Sequence, residues 1–167
     1  MILIVDVGYK KDKACVVGLE IENFENEKIK NIYKIECKNF AEYIPGKFYK
    51  RELPCIIKLI KEYKLNPDII IIDGYVYLDG FNQKGLGAYL YDKLNRIVKI
   101  IGVAKNKYFL ISNHFELYRG KSKKPLYITS AGIDFEKAKN IIKNMKGDFR
   151  IPNLLKRADK ESKDCLN

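Results

Sequence analysis

Two apolar runs in this chain end in a carboxylate. Ile2-Leu3-Ile4-Val5 runs into Asp6, and Ile69-Ile70-Ile71-Ile72 runs into Asp73 and Gly74. Runs of this kind read as strands buried on both faces, and α/β proteins often place chemistry at the ends of such strands. A third run, Val98 to Ala104, ends at Lys105, and Glu52 precedes a helical pattern between the first two runs. As neighbours in one sheet, these strands would gather Asp6, Glu52 and Asp73 at one edge, with Lys105 beside them. Clustered carboxylates do not all stay ionised without a cation. Oxygen ligands select a hard ion, Mg²⁺ or Mn²⁺. Such an ion supports phosphodiester hydrolysis by activating water and stabilising the leaving oxygen. Asp159 is a candidate fourth acid. Each residue alone also has a plainer reading: Asp73 as a cap, Lys105 as a solvated strand end, Asp159 as a helix-surface acid.

The elements that must position these residues are legible in the spacing. Residues 2–9, 14–21 and 29–37 read as strands joined by short polar turns, hence an antiparallel meander. Leu53, Ile56, Ile57, Ile60 and Tyr63 recur at helical spacing. Pro54 is tolerated in a first helical turn, which places Glu52 at or just before the helix start. The central strand spans 69–73, Gly85 to Leu90 opens or lies within a helix, and 98–104 is a further buried strand. Phe115 to Tyr118 reads as a short strand, Pro125 to Thr129 as a final one, and helices follow over roughly 134–146 and from Ile151 to about Lys163. The resulting α/β order is that of the ribonuclease H-like fold. It has a mixed central sheet, three antiparallel strands and then parallel ones, flanked by helices.

The length of 167 residues suits a single domain over 1–167. No apolar run reaches membrane-spanning length, and the N-terminus lacks the pattern of a secretory signal. A soluble, cytoplasmic, monomeric protein with no membrane partner is expected. Cys15, Cys37, Cys55 and Cys165 are scattered with no CxxC pair, and read as reduced thiols. The net charge of +11 favours a polyanionic partner, with nucleic acid the leading candidate. Most of the basic residues are Lys, and a Lys- and Ile-rich composition also follows from an AT-rich genome.

Six segments, in order, resemble the endonuclease V family. They are Val5-Asp6-Val7-Gly8-Tyr9; Tyr43-Ile44-Pro45-Gly46 followed by Arg51-Glu52-Leu53-Pro54; Pro67-Asp68 through Asp73-Gly74; Ile101-Gly102-Val103-Ala104-Lys105; Lys124-Pro125-Leu126-Tyr127-Ile128; and Phe149-Arg150-Ile151-Pro152 with Ala158-Asp159. The resemblance implies a nuclease cutting near deoxyinosine in DNA and, in some members, inosine in RNA. It implies Asp6, Glu52 and Asp73 as metal-binding catalytic acids, Asp159 as the acid completing the site, and Lys105 as the active-site lysine. Tyr43, Ile44, Pro45 and Gly46 resemble a wedge inserted at the lesion, which suits a stacking ring, two apolar gap-fillers and a turn. Gly85, within the glycine-bearing helix segment, and the basic residues Arg51 and Lys84 join these as nucleic-acid contacts.

Departures concentrate in the pocket. Where the family carries a histidine after the catalytic strand, this chain has Asp79, either a replacement ligand or a disturbance to metal and phosphate binding. The only histidine, His114, matches no family position and reads as structural. The expectation is a Mg²⁺-dependent endonuclease, with Mn²⁺ able to substitute, acting on DNA or RNA near a deaminated or damaged base. The alternative is a binding module that keeps the fold and basic surface without activity.

Overall fold

The computed structural model describes residues 1–38, 42, 44, 45, 47 and 49–167. Seven strands form one sheet in the order β3-β2-β1-β4-β5-β7-β6. The strands are β1 (Ile2–Lys10), β2 (Lys13–Ile21), β3 (Ile29–Lys38), β4 (Ile69–Asp73), β5 (Lys99–Ala104), β6 (Glu116–Leu117) and β7 (Leu126–Ala131). The helices are α1 (Tyr49–Glu62), α2 (Leu86–Lys93), α3 (Phe135–Asn144) and α4 (Asn153–Asp164). β1, β2 and β3 form the antiparallel meander, and β1, β4 and β5 run parallel. β7 runs antiparallel to β5 rather than extending the parallel set, and short β6 covers its outer edge.

The two-residue period of the strands explains the apolar runs. Leu3, Val5, Val7, Ile70, Ile72 and Ile100 face a core with α1 and α2 residues, while Ile2, Ile4, Ile71, Ile101 and Val103 face a core with α3 and α4 residues. A strand buried on both sides needs apolar residues at every position. Burying each of Ile70, Ile71 and Ile72 stabilises the fold by about 1.5–3 kcal/mol.

Three expectations are corrected. α1 starts at Tyr49, so Pro54 lies inside the helix and Glu52 within its first turn. Ahead of the helix the Lys47 N–H donates to the Ile44 carbonyl and the Lys50 N–H to the Lys47 carbonyl, and the carbonyl that Pro54 cannot pair belongs to Lys50, an exposed residue. The inner stripe of α1 is also rotated: Glu52, Cys55, Ile56, Leu59 and Ile60 are buried, while Tyr63 is 42% exposed. Finally, Cys15 and Cys165 are joined in a disulfide across 150 residues of sequence, so they are not reduced thiols. Cys37 and Cys55 are free and buried. Spacing alone could not reveal the pair, because one cysteine lies on β2 and the other just beyond α4.

Among the described residues, no helix is long and apolar enough to cross a membrane.

Candidate active site

Register places the acids. Val5 pairs with Ile72 and Asp73 with Val103, so Asp6, midway along β1 and one residue past its pairing with β4, stands level with Asp73 at the end of β4, and Lys105 lies just past β5. Alternation puts Asp6, Asp73 and Lys105 on the α3/α4 face of the sheet. Gly74, at φ +136°, turns the chain sharply after Asp73, a conformation that favours glycine. α4 brings Asp159 to the same face. Glu52 comes from the other side, in the first turn of α1, only 5% exposed.

Each of these side chains has a partner. Ser162 donates to Asp6 Oδ2 at 2.5 Å, Tyr9 donates to Glu52 Oε1 at 3.1 Å, and Lys105 Nζ meets Asp73 Oδ2 at 3.0 Å. Lys163 Nζ meets Asp159 Oδ2 at 2.7 Å. Among the described residues no three Asp, Glu, His or Cys side chains converge as a ready-made metal cage.

The carboxylates nevertheless feel one another. Burial pushes the Asp6 carboxyl up to about 6; the Ser162 hydroxyl opposes this, and the charges on Asp73 and Asp159 add to it. Burial also holds Glu52 well above the usual carboxylate range, reinforced by Asp6, while the Tyr9 hydroxyl works against it. Burial alone would lower the Lys105 ammonium, but Asp73, with Asp6 and Asp159, leaves it raised. Desolvated, mutually repelling carboxylates are a donor set whose ionised form a hard cation would stabilise.

Beside Asp73 and Lys105 opens a cleft of about 390 Å³, walled by Pro45, Tyr75, Leu78, Gly85, Leu86 and Tyr108 among others. Tyr75 ties its two sides together. Its hydroxyl donates to the Asn106 carbonyl at 2.6 Å and accepts from the Tyr108 N–H at 3.0 Å. Arg150 reaches from the loop before α4 to the Lys105 carbonyl at 3.1 Å, fixing the backbone that carries the lysine.

The remaining expected residues divide. Gly85 lines the cleft and stands at the N-terminus of α2. Pro45 lines the cleft, and Ile44 is 47% exposed. Tyr43 and Gly46 lie outside the described residues. Arg51 stacks over the Tyr9 ring at 3.7 Å, so it packs behind Glu52. Lys84 pairs with Asp92 at 2.6 Å on the surface.

Asp79 is engaged by its own loop. Its Oδ1 accepts from the backbone N–H groups of Phe81, Asn82 and Gln83 at 2.9, 2.8 and 3.0 Å, which organises the loop. Slight burial acts to raise its carboxyl, but these donors outweigh it and hold the group below its ordinary value. His114 is exposed and rests against Phe115 and Phe135, a packing role. Sequence reasoning missed the parts played by Tyr9, Tyr75, Arg150 and Ser162. Tyr9 and Arg150 stand inside segments that carry the family resemblance, so the signal was present without a role attached.

Fold and site together define an α/β protein, a mixed seven-stranded sheet flanked by helices, with acids gathered on one sheet face beside a cleft. Residues 1–124 match the endonuclease V family model, which takes in Asp6, Glu52, Asp73 and Lys105. Endonuclease V of Clostridium acetobutylicum is 31% identical over 174 aligned residues, spanning 89% of this chain and 71% of that protein. The Petrotoga mobilis endonuclease V is 24% identical, spanning 92% of this chain and 77% of that one. The chain belongs to the endonuclease V family.

Solved structures agree on the fold. Streptomyces avermitilis endonuclease V superposes with a TM-score of 0.83 at 20% identity, covering 99% of this chain and 80% of that one. Ciona intestinalis endonuclease V, in complex with an inosine-containing DNA, gives 0.81 at 20% identity, covering 99% and 85%.

Proposed function

We propose that this chain is a single-domain, divalent-cation-dependent endonuclease that hydrolyses a phosphodiester bond in DNA or RNA near a deaminated base, with inosine or deoxyinosine the first candidate. The observation that carries this reading is the convergence of Asp6, Asp73 and Lys105 on one sheet face beside the cleft, with buried Glu52 arriving from α1. Family membership and the Ciona relative's inosine-containing DNA support the substrate class. We place its action in the cytoplasm, as a monomer.

In this reading Asp6, Glu52 and Asp73 offer carboxylate oxygens to Mg²⁺ or Mn²⁺, and Asp159 completes the set. Bound there, the cation would supply polarisation of the phosphate and a more acidic water. Lys105 exchanges part of its pairing with Asp73 for the scissile phosphate and stabilises charge developing there. The cleft receives an extruded base, with Pro45 and the Tyr75–Tyr108 side as its walls. The basic surface holds flanking phosphates. Water attacks phosphorus in line, leaving a 3′-hydroxyl and a 5′-phosphate.

A panel of labelled oligonucleotides tests this: inosine-containing DNA and RNA beside unmodified controls, with Mg²⁺, Mn²⁺ or chelator. The expected result is cation-dependent cleavage favouring the inosine strands. Tight binding with no cleavage under any cation would replace the nuclease reading with that of a binding module.

A further inference from the structure

Asp159 is not the only α4 residue turned toward the acids. Ser162, one turn further on, is fully buried. Its Oγ lies 2.5 Å from Asp6 Oδ2 and 2.8 Å from the Asp159 carbonyl oxygen. A hydroxyl has one proton to donate. The shorter contact is the one to the carboxylate, where donation is charge-assisted.

Two features outside α4 aim this hydroxyl. Gly8 follows Asp6 on the same face of β1, and a Cβ there would stand 2.8 Å from the Ser162 carbonyl carbon and oxygen and 2.9 Å from its Oγ. Only a glycine lets the helix approach so closely at its present position. Cys165, three residues beyond Ser162, is bonded to Cys15, and Cys15 is the partner of Gly8 in the β1–β2 register. The end of α4 is therefore seated against β1 and covalently fastened to β2 within one turn of Ser162.

We propose that Ser162 is a positioning residue for cation binding: it occupies Oδ2 of Asp6, fixes the carboxylate plane and leaves Oδ1 as the oxygen offered to the ion. This rests on the reading of Asp6 as a cation ligand. The disulfide and Gly8 serve the same end, because either a freed helix terminus or a bulkier residue at position 8 moves the hydroxyl off its target. Outer hydrogen bonds that orient a ligating group typically contribute 10- to 100-fold to metal affinity.

The test is Mn²⁺ titration of Ser162→Ala and wild type, followed by calorimetry and by the electron paramagnetic resonance of free Mn²⁺. Thermal melts of the metal-free proteins run alongside. Ser162→Ala is expected to keep a near-wild-type melt and to bind Mn²⁺ about tenfold or more weakly. Ser162→Thr, which retains the hydroxyl, is expected to bind within about threefold of wild type, since the donor of an outer hydrogen bond is preserved. A folded Ser162→Ala with wild-type Mn²⁺ affinity overturns the proposal. If Ser162→Ala does not fold, a folded Ser162→Thr that binds as weakly as expected for alanine overturns it instead. Wild type that neither binds Mn²⁺ nor cleaves any nucleic acid sinks the reading of Asp6 as a ligand, an outcome distinct from the other two.

Discussion

Asp6 is an acid that burial keeps from ionising easily, and this has a measurable consequence. Its carboxyl moves from an ordinary 3.8 to about 6 in the folded chain. A raised acid contributes stability that is complete below the unfolded value and is lost as pH rises through the folded one. The metal-free protein should therefore lose on the order of 3 kcal/mol from this group as pH rises from about 4 to above 6. Glu52 acts in the same direction. Asp6→Asn removes the Asp6 contribution, so its melting temperature should exceed that of wild type at neutral pH without metal, and the gain should disappear near pH 4. Superimposable pH profiles for the two proteins would contradict this. Lys105 makes a separate prediction. It is the cation paired with Asp73, so Lys105→Met should lower the cleavage rate about 100-fold, the scale of losing one transition-state charge contact. A steady-state assay at saturating substrate checks it, and an unchanged kcat would remove Lys105 from the chemistry.

Among the elements, α4 depends most on a single link. Cys165→Ser, or reduction of the Cys15–Cys165 bond, should cost about 2–4 kcal/mol, read as a lower melting temperature in both cases. An unchanged melt under strong reductant would show that packing alone seats the helix. How far the elements were legible follows from the physics of each. β1, β4 and β5 were readable because two-sided burial demands unbroken apolar runs, and Asp6 within β1, Asp73 at the end of β4 and Lys105 just past β5 came with them. The start of α1 was misread because Pro54 marks a first turn by rule, yet an exposed carbonyl one turn back tolerates it. Asp79 was readable only as an acid; its three backbone donors are a product of the loop's shape. Ser162 and Asp6 are 156 residues apart, and no local pattern joins them.

At the scale of the whole molecule, the net charge of +11 and the acidic edge have complementary consequences. Nucleic-acid affinity should fall by at least about tenfold between 50 and 200 mM salt, as phosphate-dominated binding does. Fluorescence anisotropy with a labelled oligonucleotide reads this directly, and salt-independent binding would point away from backbone contact. Family membership accounts for the fold, and Asp79 organises the loop after Asp73 through its three backbone donors. The central claim is that Asp6, Glu52 and Asp73 act together through a divalent cation. Its most direct test is single-turnover cleavage of an inosine-containing strand in Mg²⁺ by wild type and Asp73→Asn. The predicted result is cleavage by wild type, abolished by chelation, and a loss on the order of 10³-fold or more in the variant. Cleavage by Asp73→Asn at the wild-type rate, or wild-type cleavage that persists in chelator, would contradict it.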